Sequence, residues 1–378
     1  MQIATLNYTR ADGWSAPFPS QLDSPRTLVL AFGASELFDH HAPFAALRDA
    51  FPSSLVTGCS TGGTIVGAKV VDHQIVVAVT KFDHTNIRIA SLPVTATPAS
   101  REVGEELGRA LAAPDLRGVL VLSDGVMVNG SNLAAGFNAV LPAGVVVTGG
   151  LAGDDERFER TWILHEGRPE TERVTALGFY GADVMFQAGS NGGWDIFGRE
   201  RLVTKSENNV LYEIDGQPAL DLYKKYLGDY ASGLPATGLL FPLALLRDIN
   251  DRDPIVRTLL GIDEATHSLR FAGNVPEGAM VRLMHTNLDR LIDGATDAAE
   301  QARGSHEDRP VLSVAISCVG RRWVLGERTE EELENVLAEL PPNTTQLGFY
   351  SYGELSPRRE GPCDLHNQTM TLTTISER

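Results

Sequence analysis

Apolar and polar residues alternate in blocks along the first half of the chain. Short apolar runs predict buried strands, and apolar residues three or four apart predict amphipathic helices between them. The predicted strands are 27–32, 55–56, 74–80, 86–90, 118–123 and 145–148, and the predicted helices are 41–51, 100–111 and 131–140. Strands that alternate with helices in this way indicate α/β organisation.

The second half is predicted to mix strands and helices in an α+β arrangement. Turn-forming residues at 206–209 separate two β-rich runs, which predicts a hairpin over 200–215. Helices are predicted at 219–227, 289–303 and 329–340, and a buried strand at 311–318. Thr329 is followed three residues later by Glu332, which indicates a capping box at the start of the last helix.

Two mixed-sheet domains are predicted for the 378 residues, since single cores stop growing at roughly 250–300 residues. The glycine-rich stretch 189–193 breaks regular structure, and we divide the chain into 25–195 and 196–378. An internal echo pairs ALGFYG at 176–181 with QLGFYS at 346–351. Either a duplicated α/β unit or a chance match between two strands explains this echo.

The charge balance excludes one class of partner. Lys and Arg number 32 against 49 Asp and Glu, a net charge of −17, which would repel nucleic acid. The 3 Cys are far apart and show no CxxC spacing, so neither a disulfide framework nor a zinc site is predicted. The sequence shows neither a signal-peptide pattern nor a long apolar run, so we expect a cytoplasmic protein without membrane insertion.

Candidate chemistry concentrates in three glycine-centred segments, each directly after an apolar run. They are TGCSTGG at 57–63, VTGGLAGDD at 147–155, and GFYSYGE at 348–354 with LHNQT at 365–369. Small polar groups and free backbone N–H donors at strand ends are typical of α/β ligand sites. We therefore expect the segments to line one pocket that Cys59, Gly150 and His366 all approach.

Each candidate residue has a binding role and a structural alternative. Cys59 is either a nucleophile or a buried side chain, and Asp154 either takes part in a metal or acid–base site or, as we favour, caps its loop. Arg321 either clamps a carboxylate or forms an ordinary salt bridge, and His366 is a ligand or a core residue. The full set of predicted binding residues is Cys59, Ser60, Thr61, Gly149, Gly150, Asp154, Arg321, Tyr352, Glu354, His366 and Asn367.

Together and in this order, the three segments resemble the FIST family, with its N-terminal and C-terminal FIST domains. The resemblance covers about residues 25–375. It implies a sensory module that binds a small molecule and is not an enzyme. The stretches GGWDIFG at 192–198 and VRLMHTNLDRLIDGA at 281–295 are similar to one branch, the NosP-type proteins.

That branch implies non-covalent haem b, nitric oxide as the signal, and a histidine kinase or cyclic-di-GMP enzyme as the partner. A haem would need an axial imidazole, for which His366 and His285 are the candidates. Two alternatives stay open. One is a sensor of another small metabolite, such as an amino acid held by the glycine segments and Arg321, and the other is an enzyme that uses Cys59.

Overall fold

A computed structural model describes residues 1–246, 251, 253–304, 309–359 and 361–378. The α-helices are α1 (Ala42–Ala50), α2 (Ser100–Leu111), α3 (Gly130–Val140), α4 (Ala219–Leu227), α5 (Leu288–Ala302), α6 (Val319–Leu325) and α7 (Thr329–Glu339). Short 3-10 helices cover Ser20–Leu22, Ser35–Leu37, Thr97–Ala99, Gly228–Gly233, Ala236–Leu240 and Gly326–Arg328.

Strands make up most of the remaining regular structure. Those before α4 are β1 (Gln2–Thr9), β2 (Gly13–Trp14), β3 (Thr27–Ala34), β4 (Leu55–Thr61), β5 (Thr64–Val66), β6 (Lys69–Val71), β7 (Ile75–Lys81), β8 (Asn86–Pro93), β9 (Leu116–Ser123), β10 (Val146–Leu151), β11 (Ile163–His165), β12 (Arg168–Glu170), β13 (Arg173–Tyr180), β14 (Val184–Asn191), β15 (Asp195–Glu207), β16 (Val210–Ile214) and β17 (Gln217–Pro218). Those after it are β18 (Leu243–Leu246), β19 (Ile255–Arg257), β20 (Leu259–Asp263), β21 (Ser268–Phe271), β22 (Met280–His285), β23 (Val311–Cys318), β24 (Thr344–Ser351), β25 (Gly353–Pro357), β26 (Cys363–His366) and β27 (Met370–Glu377).

Three sheets with equivalent strand order form the body of the molecule. Sheet A runs β12-β11-β4-β3-β7-β1-β2, sheet B runs β6-β5-β24-β23-β27-β14, and sheet C runs β26-β25-β10-β9-β13-β8. Each contains one parallel pair joined through helix, namely β3–β4, β23–β24 and β9–β10. An antiparallel strand follows on the other side of each pair, which makes the three sheets copies of one topology.

The three units exchange hairpins in a closed ring. The hairpin after β4 pairs with β24, the hairpin after β24 pairs with β10, and the hairpin after β10 pairs with β4. Each glycine-centred segment is therefore the point at which the chain crosses from one sheet to the next. A Cβ added at Gly58, Gly149 or Gly348 would lie 1.7 to 2.0 Å from a carbonyl oxygen of the adjacent parallel strand.

Side-chain alternation along the strands builds a central core between the three sheets. In β3, Leu28, Leu30 and Phe32 point to the centre, while Val29 and Ala31 pack outward against α1. Strands β9 and β23 alternate in the same way, as a period of two requires. Helices α2 and α3 cover the outer face of sheet C, and α5 and α7 cover that of sheet B. Each large apolar side chain buried here contributes about 1.5–3 kcal/mol.

A smaller unit, the β lobe (residues 195–285), is inserted between β14 and α5. Its sheet D runs β19-β18-β22-β15-β16-β21-β20 and packs against α4 around a separate core. The lobe contacts the body through the buried side chain of Arg257, which donates a hydrogen bond to the Leu365 carbonyl oxygen at 2.8 Å. Burial lowers the pKa of Arg257 to about 10.

The α/β class with mixed sheets is confirmed, as are helices α2 and α4 and the hairpin β15–β16. The echo does not join equivalent strands, because 176–181 lies mainly in antiparallel β13 while 346–351 lies in parallel β24. The repeat in this fold is instead the strand order shared by the three sheets. The boundary between the predicted domains, 25–195 and 196–378, does not separate one sheet from another. Sheets B and C combine strands from both, although the boundary falls where the chain enters the β lobe.

The predicted capping box at the start of α7 is wrong. The Thr329 hydroxyl donates to the Gly326 carbonyl oxygen at 2.6 Å, and Glu332 is buried and bonded elsewhere. Among the described helices, none combines the length and apolar character needed to cross a bilayer.

Candidate functional site

Residues that follow the three crossover strands surround two adjoining cavities near the carboxyl ends of the parallel pairs. A polar cavity of about 670 Å³ is lined by residues 61–64 and 155–157. An apolar cavity of about 330 Å³ is lined by Phe158 and residues 351–352. Glu156 and Trp323 line both cavities. All three glycine-centred segments therefore lead to one region, as α/β strand ends are expected to do.

The apolar cavity lies between the body and the β lobe. Its floor is formed by residues 318–320 and by Tyr352, whose ring stacks on Phe158 with centroids 4.2 Å apart. Its roof is formed by residues 235–236, 239, 258–260 and 272 of the β lobe. A volume of this size matches a small ligand, because drug-sized molecules occupy pockets of about 300–1,000 Å³.

Three buried polar residues, Thr258, Ser351 and Asn367, interrupt the apolar lining. The Thr258 hydroxyl is buried and has no hydrogen-bond partner among the described residues. Its backbone N–H donates to the Asn367 Oδ1 atom at 3.4 Å, across the contact between the β lobe and the body. A buried hydroxyl without a partner costs about 1–3 kcal/mol of stability.

Paired charges line the polar cavity. Arg322 lies 2.8 Å from Asp72, and its guanidinium also donates to the Gly62 carbonyl oxygen. Arg157 donates to the Ser35 hydroxyl at 2.6 Å and lies 3.7 Å from Glu36. The hydrogen bond that the His73 ring donates to the Glu36 carboxylate raises the pKa of His73 above its ordinary value.

The Asp154 carboxylate shapes the loop that separates the two cavities. It accepts hydrogen bonds from the backbone N–H groups of Phe158, Glu159 and Arg160 at 2.8–2.9 Å. The Tyr352 hydroxyl donates to the same carboxylate. The capping role that the sequence favoured is confirmed, and Asp154 positions Phe158 and Tyr352 beside each other.

Residues of the first glycine-centred segment divide between the core and the polar cavity. Cys59 is buried between the three sheets, and burial raises the pKa of its thiol well above the ordinary value, which opposes a nucleophilic role. The Ser60 hydroxyl accepts from the Trp162 N–H at 3.0 Å. Only Thr61 lines a cavity, where its hydroxyl accepts from the Tyr350 N–H at 3.0 Å.

Gly149 and Gly150 are explained by packing. Gly149 lies against the backbone of Val121 and has a φ of 144°, a conformation that residues with a Cβ rarely adopt. A Cβ on Gly150 would meet the side chain of Ile316 at 2.7 Å in the central core. Neither residue lines the two cavities, and the geometry does not bring Gly150, Cys59 and His366 together.

Arg321 faces the protein interior. Its side chain is fully buried and forms an ion pair with the equally buried Glu332. The same guanidinium donates to the carbonyl oxygens of Gly192, at 2.6 Å, and Leu291. Because all these donors are used within the chain, Arg321 connects α6, α5, α7 and the segment after β14, and no ligand clamp is formed.

Glu354 lies behind the floor of the apolar cavity. It accepts hydrogen bonds from the Ser351 hydroxyl and, at 2.9 Å, from the Thr369 hydroxyl. Burial raises its pKa to about 8 against the effect of these bonds, so the carboxyl is largely protonated at neutral pH. Of the predicted residues in this last segment, Tyr352 and Asn367 line the apolar cavity itself.

The two histidines predicted as haem ligands lie apart from both cavities. The His366 Nε2–H donates to the Ser356 carbonyl oxygen at 3.1 Å, and burial lowers the pKa of the ring. Its cavity measures about 230 Å³ and is lined by charged residues including Asp253, Arg358 and Asp297. His285 is exposed and packs edge-on against Phe197.

These surroundings do not fit a haem. A haem is larger than most drug-sized ligands and requires an apolar slot beside its axial imidazole. The described apolar cavity is lined by no histidine, and the cavity beside His366 is small and charged. Within the described ranges, no group of three or more His, Cys, Asp or Glu side chains is placed to hold a metal ion.

Sequence reasoning missed the residues that the β lobe contributes. Thr258, Leu259 and Ala236 line the cavity but belong to no motif, because only the docking of the lobe brings them to the body. Phe158 and Trp323 were missed too. The sequence could have indicated them only by their closeness to predicted candidates. Phe158 lies four residues after Asp154, and Trp323 lies two residues after Arg321.

The fold and cavity define a two-lobed protein with a ligand-sized site between its lobes. The chain belongs to the FIST family, because residues 27–217 match the FIST N domain and residues 219–357 match the FIST C domain. FIST domains are generally sensory, ligand-binding domains.

One relative is an uncharacterized protein of Methanocaldococcus jannaschii, 24% identical over 338 residues. The match covers 82% of this chain and 62% of that relative's length. A solved structure of PurLQS from Thermotoga maritima is 10% identical, with 100% of this chain and 72% of that chain covered. Its TM-score of 0.19 carries no argument about fold or function.

Proposed function

We propose that this protein is a sensor that binds one small metabolite in the apolar cavity between the body and the β lobe. The observation that carries the proposal is the cavity itself. It has a largely apolar lining and a size of about 330 Å³, and it lies between the body and the β lobe. Pockets with these properties are typical of small-molecule sites.

The position of the cavity supports a sensory role. Its floor belongs to the body and its roof belongs to the β lobe, so a bound molecule would contact both lobes. A ligand that binds better when the lobes are packed together shifts the population toward that packing. Two short connections, 192–194 and 286–287, join the lobe to the body and would absorb the movement.

Binding is tested with a metabolite library in a thermal-shift screen, followed by calorimetric titration. A ligand present at about 100 times its Kd should raise the Tm by roughly 3 °C for a chain of this length. The variant Ala236→Trp places a large ring at the exposed edge of the cavity. The matched control, Ala143→Trp, carries the same ring in the exposed turn between α3 and β10.

We expect a stabilising ligand to act on the wild type and on Ala143→Trp, and to lose its effect on Ala236→Trp. A ligand that stabilises both variants equally binds elsewhere and refutes the assignment. Hydrogen exchange adds a second measure, because the Thr258 N–H bonds Asn367 across the lobes and should exchange more slowly with ligand bound.

Haem binding, nitric oxide sensing and control of a histidine kinase or a cyclic-di-GMP enzyme are the competing hypothesis from the family resemblance. A spectrum of protein expressed with added haem decides between the two. We expect no Soret band. A stoichiometric band that His366→Ala or His285→Ala removes would replace the metabolite proposal with a haem sensor.

A further inference from the structure

The end of the apolar cavity that adjoins the polar cavity is bordered by negative charge. Four carboxylates line the polar cavity, those of Glu36, Asp72, Asp155 and Glu156, against two arginines and His73, which pairs with Glu36. Because Glu156 lines both cavities, a molecule seated in the apolar cavity would have this carboxylate at one end.

Both arginines are already engaged by other carboxylates. Arg322 forms an ion pair with Asp72 at 2.8 Å, and Arg157 lies 3.7 Å from Glu36. The Asp155 carboxylate accepts the Trp323 indole N–H at 3.4 Å, while the Asp155 carbonyl oxygen accepts the Tyr352 hydroxyl at 2.9 Å. Among the described ion pairs, none includes Glu156. The border between the cavities therefore carries uncompensated negative charge, which the net charge of −17 reinforces.

The inner surface is suited to an aromatic or aliphatic group. The Phe158 and Tyr352 rings are stacked, with an interplanar angle of 11°, and Leu239, Leu259 and Val319 complete the apolar lining. Trp323 lines both cavities, and the face of an indole attracts a cation.

We propose that the ligand is an organic cation, with an aryl or alkyl group in the apolar cavity and a protonated amine at Glu156. This assignment rests on the proposed function, because it names the chemical class of the molecule that fills the same cavity. A carboxylate ligand of the same shape is disfavoured, since its charge would face Glu156 and Asp155 with both arginines already paired.

Three probes with the same aryl group and different charge test the proposal by calorimetric titration near neutral pH. They are phenethylamine, phenethyl alcohol and hydrocinnamate. We expect phenethylamine to bind the wild type about tenfold more tightly than phenethyl alcohol, and hydrocinnamate to bind most weakly. Raised salt should reduce the preference for the amine, because the carboxylates are partly exposed to solvent.

Glu156→Gln should remove most of the preference for phenethylamine over phenethyl alcohol. Glu159→Gln is the matched control, an exposed carboxylate on the same loop that lines neither cavity. Hydrocinnamate binding as tightly as the amine, an unchanged preference in Glu156→Gln, or no binding of any probe would overturn the proposal.

The failure of the proposed function is distinguishable from these results. If phenethylamine binds equally well to Ala236→Trp and to Ala143→Trp, its site is not the cavity and the proposed function fails. If a library metabolite is blocked by Ala236→Trp while the amine preference is absent, the cavity is the site but the ligand is not a cation.

Discussion

The buried pair of Arg321 and Glu332 allows a direct test of whether that arginine is structural. Both side chains are 0% exposed, and the Ser317 hydroxyl donates to Glu332 at 3.1 Å. Glu332→Gln keeps the shape of the side chain and removes its charge, which leaves the guanidinium buried without a counter-ion. Breaking a buried pair in this way costs about 3–5 kcal/mol.

For a chain of 378 residues that loss corresponds to a Tm decrease of roughly 4–6 °C, measured by differential scanning calorimetry. The matched control is Glu331→Gln on the same helix, where an exposed carboxylate pairs with Arg328 and little change is expected. The double variant Arg321→Met/Glu332→Leu should recover part of the loss, because both charges are then absent.

Two results would refute this reasoning. Equal Tm values for Glu332→Gln and Glu331→Gln would show that the buried charge is not needed for stability. Unchanged stability of Arg321→Met together with lost ligand binding would restore the carboxylate clamp that the sequence suggested.

Three further predictions concern single residues. Gly149→Ala should lower the free energy of unfolding by roughly 3 kcal/mol or more, because its Cβ would lie 2.0 Å from the Val121 carbonyl oxygen. The control is Gly144→Ala, whose Cβ would have no atom within 4 Å, and its free energy of unfolding should be nearly unchanged in the same denaturant titration. Burial raises the pKa of Glu354 to about 8 in the folded state, so the folded protein favours the protonated carboxyl. The stability that this carboxyl contributes is fully present below its unfolded-state pKa and is lost as the pH rises toward 8. In urea titrations, the free energy of unfolding of Glu354→Gln should therefore depend less on pH than that of the wild type. If the two proteins show the same dependence on pH, Glu354 is not its source. The 3 Cys are all buried, so iodoacetamide should label them only on unfolding, and rapid labelling of native protein would contradict the packing of Cys59.

Local patterns were enough to predict the α/β class and several elements with their boundaries. Helix α2 is an example, because Val103, Leu107 and Leu111 recur on one face and bury that face. The three glycine-centred segments were also visible in the sequence. Their common role was not, because it depends on pairings such as that of Ile65 with Gly348, which are about three quarters of the chain apart.

Two predictions failed for one physical reason. Glu332 was assigned to a capping box and Arg321 to a ligand clamp, since each assignment is reasonable from near neighbours in sequence. In the folded chain each is the other's partner, and burial removes both from the solvent. Residues eleven apart on two different helices meet only after α7 packs beside α6, which no local pattern encodes.

The cavity depends even more on tertiary structure. Two predicted candidates, Tyr352 and Asn367, line it from the body, while its roof comes from the β lobe. The sequence could indicate the strand ends where a site forms. It could not indicate that Thr258 would be placed opposite them, because that position follows from how the lobe docks through Arg257.

A crystal structure of the protein grown with phenethylamine tests the central claim most directly. The account predicts the probe in the cavity between the lobes, with its ring against Phe158 and Tyr352 and its amine toward Glu156. Probe density beside His366, or only at positions outside this cavity in crystals that contain the probe, would contradict it.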